Sequence, residues 1–300
     1  MTPGTSDPER PPWTDLSRPP LRAAALAAAL TSGDDPVWRA IEVLPRTGST
    51  NADLAARARA GAAPDLVLTA DDQVAGRGRL TREWTVPPRS SIAVSVLLAP
   101  SAPVGRWGWL PLLAGVAVVR TVTRIAGLPA VLKWPNDVLV PVPGGDLEAY
   151  KVAGILAEAV GVPGGGRVVV LGTGLNVSQS VDELPVPQAT SLRIAGAATT
   201  DRETLLRAYL RELAALYRRW DAAGGEPRGS GLGAAYREAC TTIGRSVSVE
   251  LPGRTPLVGT AEGVDDDGRL LVRDAAGGDH ALAAGDVVHV RPPAGARKKA

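Results

Sequence analysis

The sequence predicts an α+β protein in which a mixed, mostly antiparallel sheet with helices precedes a small β-barrel. Two observations indicate the first part: apolar runs of strand length alternate with amphipathic helical patterns, and glycine-rich turns join several runs directly. The third observation is a change after Cys240, where short alternating segments are separated by Gly and Asp turns. Such a succession is typical of a barrel of about fifty residues.

Helical patterns are clearest where apolar residues line one face, as in residues 201–221. The predicted helices cover residues 21–30, 51–61, 107–125, 201–221 and 232–240. Ser, Thr or Asn caps the second of these helices, and Gly61 ends it. Residues 1–20 are rich in Pro and polar groups, and we expect them to be disordered.

Strand patterns are short and rich in Val, Leu and Ile. They cover residues 65–70, 91–98, 131–133, 137–140, 152–160 and 167–175, and in the barrel residues 246–251, 257–263, 270–273, 280–283 and 287–290. A long loop joins the first two strands, which we expect to be neighbours in the sheet. The turn at residues 266–268 is a hairpin signal.

Composition and charge disfavour several classes of protein. The formal net charge of +2 is spread along the chain, so we expect no specific DNA binding and no membrane-surface binding. Cys240 is the only cysteine, which excludes an intrachain disulfide and fits a reducing compartment. The longest apolar run, residues 109–119, contains Pro111 and is too short to span a bilayer. We therefore expect a cytoplasmic protein.

The loop at residues 75–84, Ala-Gly-Arg-Gly-Arg-Leu-Thr-Arg-Glu-Trp, combines glycines, three arginines and a tryptophan. Glycine allows the backbone to approach a ligand closely, and guanidinium groups form paired hydrogen bonds to phosphate or carboxylate. Tryptophan can stack on a base or close an apolar lid. This arginine loop favours a mobile element that folds over an anionic nucleotide, although solvated surface turns have a similar composition.

Four further segments flank the arginine loop. They are residues 47–51 (Thr-Gly-Ser-Thr-Asn) followed by Gln73, residues 133–137 (Lys-Trp-Pro-Asn-Asp), residues 151–156 (Lys-Val-Ala-Gly-Ile-Leu) and residues 172–176 (Gly-Thr-Gly-Leu-Asn). With the loop, and in this order, they resemble the biotin protein ligases over roughly residues 42–291. The resemblance implies a catalytic domain with the biotin/lipoate ligase fold at residues 21–240, an SH3-like barrel at 241–291 and a basic tail at 292–300.

The resemblance also implies an activity and a set of site residues. The implied reaction activates biotin with ATP and Mg²⁺ to biotinyl-5′-AMP, and then transfers biotin to a lysine of the biotin carboxyl carrier protein or domain of an acyl-CoA carboxylase. The implied catalytic residues are Lys151 and Arg79. The implied biotin-binding residues are Ser49, Thr50, Asn51, Gln73, Arg77, Gly78, Arg79, Lys151 and Gly154. Those implied for ATP or the adenylate are Arg77, Arg79, Arg82, Trp84, Lys133, Asn136 and Asn176, with Asp137 as the metal ligand.

Each residue type suits its implied role, and each also has an ordinary structural explanation. Hydroxyls and amides match a neutral ureido ring, and a lysine ammonium can follow an anion as it moves. However, Ser49 and Thr50 are typical helix caps, and Lys151 begins a predicted strand. Asn136 followed by Asp137 is also an ordinary turn pair.

The sequence departs from the family pattern at Thr81, where the loop usually carries glycine, and in an insertion at residues 140–146. A lipoate or octanoate ligase or transferase is the main alternative, although its pocket needs an apolar tunnel rather than polar partners. A DNA-binding regulator that senses biotinyl-adenylate is disfavoured, because a single helix is predicted before the first motif. A hydrolase is disfavoured because His280 and His289 lie in the predicted barrel, and an ordinary ATPase because no P-loop motif is present.

Overall fold

The larger sheet of the protein has seven strands among the described residues. The computed structural model describes residues 17–33, 36–79, 82–251, 253 and 255–289. The strands of this sheet are β1 (Ala40–Leu44), β2 (Leu66–Ala70), β5 (Ser91–Leu98), β6 (Val131–Lys133), β7 (Asp137–Val140), β8 (Tyr150–Gly161) and β9 (Arg167–Asn176). Two short strands, β3 (Gly76–Arg77) and β4 (Glu83–Trp84), pair with each other inside the arginine loop.

The strand order is β1-β2-β5-β9-β8-β7-β6, and every neighbouring pair except one is antiparallel. The exception is β1, which pairs with β2 in parallel. The predicted mixed, mostly antiparallel sheet is therefore confirmed, and β2 and β5 are neighbours as expected. The sequence does not predict β1, because this edge strand is only partly buried and carries an exposed Glu42 at its centre.

Helices cover both faces of this sheet. Those of the described residues are α1 (Ala23–Leu30), α2 (Thr50–Arg59), α3 (Trp109–Thr121), α4 (Arg202–Ala222) and α5 (Leu232–Ala239). Side chains alternate between the faces of a strand, so Leu66 and Leu68 pack with Leu54 of α2 while Val67 joins the larger core opposite. Placing α2 alone on one face brings its N-terminus to the centre of the sheet, where β5, β8 and β9 run side by side.

Helix α3 lies at the centre of the larger core. Its helical backbone begins in a 3-10 turn at Val104 and continues through a π-helical turn to Ala126. This helical segment has 23 residues, and by length and composition it could cross a membrane. The apolar segment is therefore longer than the run of residues 109–119 that was expected to be too short to span a bilayer. Most of the helix is buried against the sheet and α4, as in the core helix of a folded domain.

The C-terminal part is a five-stranded antiparallel sheet in the order β13-β12-β11-β10-β14. Its strands are β10 (Ser246–Glu250), β11 (Leu257–Val264), β12 (Leu270–Asp274), β13 (Asp279–Leu282) and β14 (Asp286–His289), close to the predicted bounds. Gly268, with φ +83°, closes the predicted hairpin turn between β11 and β12. Val247, Ala261 and Val272 belong to the same core cluster as α3, so the two sheets share one apolar interior.

Two peripheral segments are tied to the body of the protein. The predicted disorder is wrong for residues 17–20, because Arg18 forms an ion pair with Glu183 and the carbonyl of Pro19 accepts a hydrogen bond from the buried Arg202. The insertion lies between β7 and β8, and beside it Glu148 accepts two hydrogen bonds from Arg245 of the C-terminal sheet. Residues 1–16 and the basic tail lie outside the described residues.

Candidate active site

A cavity of about 680 Å³ opens between the arginine loop, the N-terminus of α2 and the central strands β5, β8 and β9. β14 of the C-terminal sheet contributes to its rim. The fold brings all the predicted site residues to its walls: Ser49, Thr50, Asn51, Gln73, Arg77, Gly78, Arg79, Arg82, Trp84, Lys133, Asn136, Asp137, Lys151, Gly154 and Asn176. We call this space the inner cavity.

A second cavity of about 1110 Å³, the outer cavity, lies on the other side of the arginine loop. It is bounded by the start of α3 and by the β11–β12 turn, including Gly105, Asp267 and Arg269. Arg77, Arg79 and other loop residues line both cavities. The inner cavity is the better candidate site although it is smaller, because Ser49, Thr50 and Asn51 at α2 and Lys151 and Gly154 on β8 line it and do not line the outer cavity.

The polar end of the inner cavity consists of Ser49, Thr50, Asn51 and Gln73. Ser49 caps α2, since its Oγ accepts a hydrogen bond from the Ala52 N–H at 3.4 Å, and its own proton is left for another acceptor. Gln73 Oε1 accepts from the Thr50 N–H at 3.0 Å and from the Thr50 hydroxyl at 3.1 Å. With this oxygen held, the side-chain NH₂ group of Gln73 is a donor suited to a neutral ring.

Asn51 is held by a network that the sequence motif does not reveal. Its Oδ1 lies 2.6 Å from Ser95 Oγ, and its Nδ2 donates to Leu156 O at 3.3 Å and to Glu158 Oε2 at 2.8 Å. The side chain lies against Gly172, where an added Cβ would come within 2.1 Å of Asn51 Oδ1. The first glycine of the Gly-Thr-Gly segment is therefore required for this close approach.

Trp84 of the arginine loop packs onto the glycines of β8 and β9. A Cβ added at Gly174 would come within 2.6 Å of the indole, and one added at Gly154 within 3.2 Å. Lys151 Nζ lies 5.9 Å from the centre of the ring, which is a cation–π distance. The structure thus places Trp84 beside Lys151, above the glycine predicted for biotin binding.

Lys151 forms an ion pair with Asp137, in which Nζ lies 2.7 Å from Oδ1. That carboxylate oxygen is buried and makes no well-aligned hydrogen bond within the described residues, so the contact with Lys151 is electrostatic. The backbone of Lys151 is fixed by its N–H donating to Gln188 O and its C=O accepting from the Thr190 N–H, both at 2.8 Å. Lys151 and the predicted metal ligand are thus direct neighbours.

The three arginines of the loop have three different environments. Arg77 Nη2 donates to Glu158 Oε2 at 3.0 Å, and Arg79 Nη1 donates to Asn136 Oδ1 at 3.2 Å. Arg82 pairs with Asp286 of β14 and so connects the loop to the C-terminal sheet. Burial lowers the pKa of Arg79, although a guanidinium remains protonated at physiological pH. Thr81 lies outside the described residues.

The Lys-Trp-Pro-Asn-Asp turn is fixed between the two sheets. Trp134 is buried, its backbone N–H donates to Thr242 Oγ1 at 3.0 Å, and its Nε1 donates to Gly268 O at 3.3 Å. Asn136 Nδ2 donates to Ile155 O at 3.1 Å, which aligns the turn with β8. Lys133 lines the cavity, and no carboxylate among the described residues lies within 4.0 Å of its ammonium.

Asn176, predicted to contact adenine, is engaged with the protein itself. Its Nδ2 donates to Thr190 O and its Oδ1 accepts from Gln179 Nε2, both at 3.0 Å. The side chain therefore holds the segment that follows β9, which also lines the cavity at Pro185 and Val186.

The histidines do not line the inner cavity. His280 pairs with Asp274 within the C-terminal sheet, and His289 Nε2 lies 3.1 Å from Thr242 Oγ1 at the junction between the sheets. Burial, together with Lys133 and Arg245, lowers the pKa of His289 to about 4. Among the described residues there is no group of three or more His, Cys, Asp or Glu side chains suited to a metal.

Comparison with known proteins gives a consistent result. Residues 43–176 match the Biotin/lipoate A/B protein ligase family, and residues 242–290 match the Biotin protein ligase C terminal domain. The chain is 45% identical over 282 residues to the biotin–[acetyl-CoA-carboxylase] ligase of Mycobacterium tuberculosis, covering 92% of this chain and 98% of that protein. It is 32% identical to the bifunctional ligase/repressor BirA of Bacillus spizizenii, over 70% of this chain and 62% of BirA.

Solved structures agree with this result. The biotin protein ligase of Aquifex aeolicus in complex with biotin and ATP matches 84% of this chain and 99% of its own, with 25% identity and a TM-score of 0.66. The 45% identity along nearly the full length of the mycobacterial enzyme is far more specific than the shared fold. On that identity, and with every predicted site residue on the walls of one cavity, the chain belongs to the biotin protein ligase family.

Proposed function

We propose that this chain activates biotin with ATP to biotinyl-5′-AMP and then transfers biotin to a lysine of a carrier protein. The observation that carries the proposal is the inner cavity, which joins a neutral polar end to a cationic region with Lys151 and Arg79. The relatives support it, since the mycobacterial one is a biotin–[acetyl-CoA-carboxylase] ligase and the Aquifex structure contains biotin and ATP.

In the first step, a biotin carboxylate oxygen attacks the α-phosphorus of ATP and pyrophosphate leaves. Two anions must approach each other, and their repulsion at about 4 Å is of order 1 to 4 kcal/mol at effective dielectrics from water to a protein surface. Lys151 supplies a charge that can contact both anions, and Arg79, half-buried beside Asn136, supplies a second. Such fixed charges favour the transition state because they need no reorganisation.

We assign the ring of biotin to the polar end and its tail to the glycines under Trp84. Ser49 and Gln73 keep donors for the ureido group, whereas Gly154 leaves room beside Lys151 for the chain and carboxylate. Arg77 and Gly78 would contact biotin from the loop. ATP and the adenylate would then lie along Arg77, Arg79, Arg82, Lys133, Asn136 and Asn176. Asn176 acts in this arrangement by holding the wall that the adenine contacts.

Mg²⁺ would accompany ATP and screen its phosphates. The residues present fit this ion, because Mg²⁺ is usually held by one or two carboxylates and substrate phosphates, and Asp137 offers a buried carboxylate oxygen. Lys151 pairs with this same carboxylate, so we expect Mg²⁺ bound with ATP to divide the ion pair.

In the second step, the amine of a carrier lysine attacks the acyl carbon of the adenylate, the acyl–phosphate bond breaks and AMP leaves. We propose the biotin carboxyl carrier protein or domain of an acyl-CoA carboxylase as this partner. We further propose that residues 21–240 and 241–291 are the two domains, that the enzyme works in the cytoplasm, and that it binds no specific DNA sequence. The single buried Cys240 and the low net charge are consistent with these assignments.

A lipoate ligase is the second candidate, because the family model that matches residues 43–176 includes both kinds of enzyme. Pyrophosphate exchange into ATP, measured in parallel with biotin and with lipoate, separates the two. We expect exchange with biotin and Mg²⁺, and none with lipoate. Exchange with lipoate alone would overturn the substrate assignment.

A further inference from the structure

Glu158 lines the outer cavity and contacts both Asn51, at the polar end of the inner cavity, and Arg77 of the arginine loop, although none of the sequence motifs includes it. It stands on β8, beyond the Lys151 segment, and pairs across the ladder with Val170 of β9. A carboxylate in this otherwise apolar part of a central strand is costly unless it has partners. Its partners are two of the residues already assigned to the site.

One carboxylate oxygen of Glu158 receives both contacts. Oε2 accepts from Asn51 Nδ2 at 2.8 Å and from Arg77 Nη2 at 3.0 Å. Asn51 belongs to α2, whereas Arg77 belongs to the arginine loop. A single atom therefore connects the two elements that surround the polar end.

The contact also sets the orientation of the Asn51 amide. Glu158 Oε2 and Leu156 O only accept hydrogen bonds, so the atom that faces them must be Nδ2. Oδ1 then points to Ser95 Oγ, at 2.6 Å, and lies against Gly172. Of the two acceptors that fix Nδ2, Glu158 is closer and charged, so it makes the stronger bond.

We propose that Glu158 is a positioning residue that aligns Asn51 and Arg77 together, and thereby couples the biotin-binding end to the arginine loop. This role rests on the proposed function, since it concerns how the same site binds biotin. Glu158 itself does not touch the reacting atoms. Its loss should therefore weaken biotin binding while leaving the chemical step largely intact.

The test compares Glu158→Ala and Glu158→Gln in the full-length enzyme. We expect Glu158→Ala to raise the Kd and KM for biotin about tenfold, the effect of losing one hydrogen bond to a charged group, with kcat for exchange within about twofold. Glutamine can present its oxygen to Asn51 Nδ2, so Glu158→Gln should restore the KM for biotin to within about threefold of wild type.

The arginine loop provides a second readout. Glu158→Gln keeps the hydrogen-bond acceptor but removes the charge that holds Arg77, so trypsin should cut after Arg77 faster than in wild type in both variants. Glu212→Gln is the matched control, because Glu212 pairs with Arg120 and Arg124 far from the cavity. It should leave both readouts unchanged.

The outcomes separate this proposal from the proposed function. Absence of biotin-dependent exchange in the wild type would overturn the function itself. Wild-type exchange with an unchanged KM for biotin in both Glu158 variants would overturn only the positioning role. A fall in kcat at constant KM, equal in both variants, would also contradict it, because the residue would then act on the chemical step.

Discussion

Polar side chains around the inner cavity differ in how much hydrogen-bonding capacity they keep for a ligand. The amides of Asn51 and Asn176 are engaged by neighbouring residues, whereas Ser49 keeps a proton and Gln73 keeps its amide nitrogen. We therefore expect the asparagines to shape the walls, and Ser49 and Gln73 to contact the ring directly. This distinction cannot be made from the motifs, which contain all four residues.

Replacing Lys151 tests the cationic region. We expect Lys151→Ala to lower biotin-dependent pyrophosphate exchange by at least about 100-fold, because a preorganised charge at the reacting anions is lost. The loss of stability should stay near 1 kcal/mol, since the ion pair with Asp137 is partly exposed. Thermal unfolding of the same preparation is the control, and near-normal exchange would remove Lys151 from the reaction.

The sequence predicts the site residues that belong to motifs and misses those that stand alone on strands. Ser95 and Glu158 reach Asn51 only because β5, β9 and β8 lie side by side with α2 across them. Nothing in the local sequence marks Ser95. For Glu158 the signal is a charged residue within an apolar strand pattern, and its partners depend on tertiary packing.

At the level of elements, the arginine loop combines two fixed arginines with one that is more exposed. Arg79 is partly buried and donates to Asn136, and Arg77 forms an ion pair with Glu158. The side chain of Arg82 is 65% exposed and forms an ion pair with Asp286 of β14. An exposed ion pair of this kind adds little stability, so the loop should open readily when no ligand is bound.

Limited trypsin digestion tests this mobility. In the free enzyme we expect early cleavage after Arg82, and slower cleavage after Arg77 and Arg79, whose side chains are held by Glu158 and Asn136. Biotin should protect the loop partly, and biotin with ATP strongly, because anions order the guanidinium groups. Mass spectrometry of early fragments identifies each cut. Equal cleavage with and without ligands would mean that the loop is a static surface turn.

Most elements are predicted to within about two residues, because their apolar periodicity matches their burial. The exceptions have tertiary causes. β1 is stabilised by pairing with β2 rather than by its own pattern, and residues 17–20 are held by Glu183 and Arg202 from distant parts of the chain.

For the whole molecule, the junction between the two sheets is as important as either sheet. Trp134 is bonded to Thr242 and to Gly268, and Thr242 contacts His289. His289 Nε2 lies 3.1 Å from Thr242 Oγ1, and burial together with Lys133 and Arg245 holds the pKa of the ring low, so the junction is built around the unprotonated ring. The turn that carries Asn136 and Asp137 therefore depends on the C-terminal sheet for its position.

Because of this junction, we expect the stability of the folded protein to fall in acid. The pKa of His289 is about 4 in the folded protein and roughly 6.5 in an unfolded chain, so between these values only the unfolded state binds the proton. Stability is thus complete above about pH 6.5 and falls as the pH drops towards 4. Because the ring is partly exposed, we expect a loss of about 1 to 2 kcal/mol, a decrease in Tm of a few degrees.

Thermal unfolding between pH 7 and pH 4.5 measures this loss, above the range in which most carboxylates titrate. His289→Gln keeps an acceptor for Thr242 and should flatten the slope. His280→Gln, made away from the junction, should retain it. A wild-type Tm that is constant over this range would contradict the assigned state of His289.

The arginine loop is a wall between two chambers, and this has a pharmacological consequence. A small molecule lodged in the outer cavity would contact the loop without occupying the polar end that we assign to the biotin ring. Its inhibition would then be noncompetitive with biotin and insensitive to the cellular supply of the vitamin. Because Gly105, in the turn that begins the long helix, and Asp267, in the β11–β12 turn, both line that chamber, a compound that fits it would be selected by how this helix and the C-terminal sheet join, rather than by the substrates.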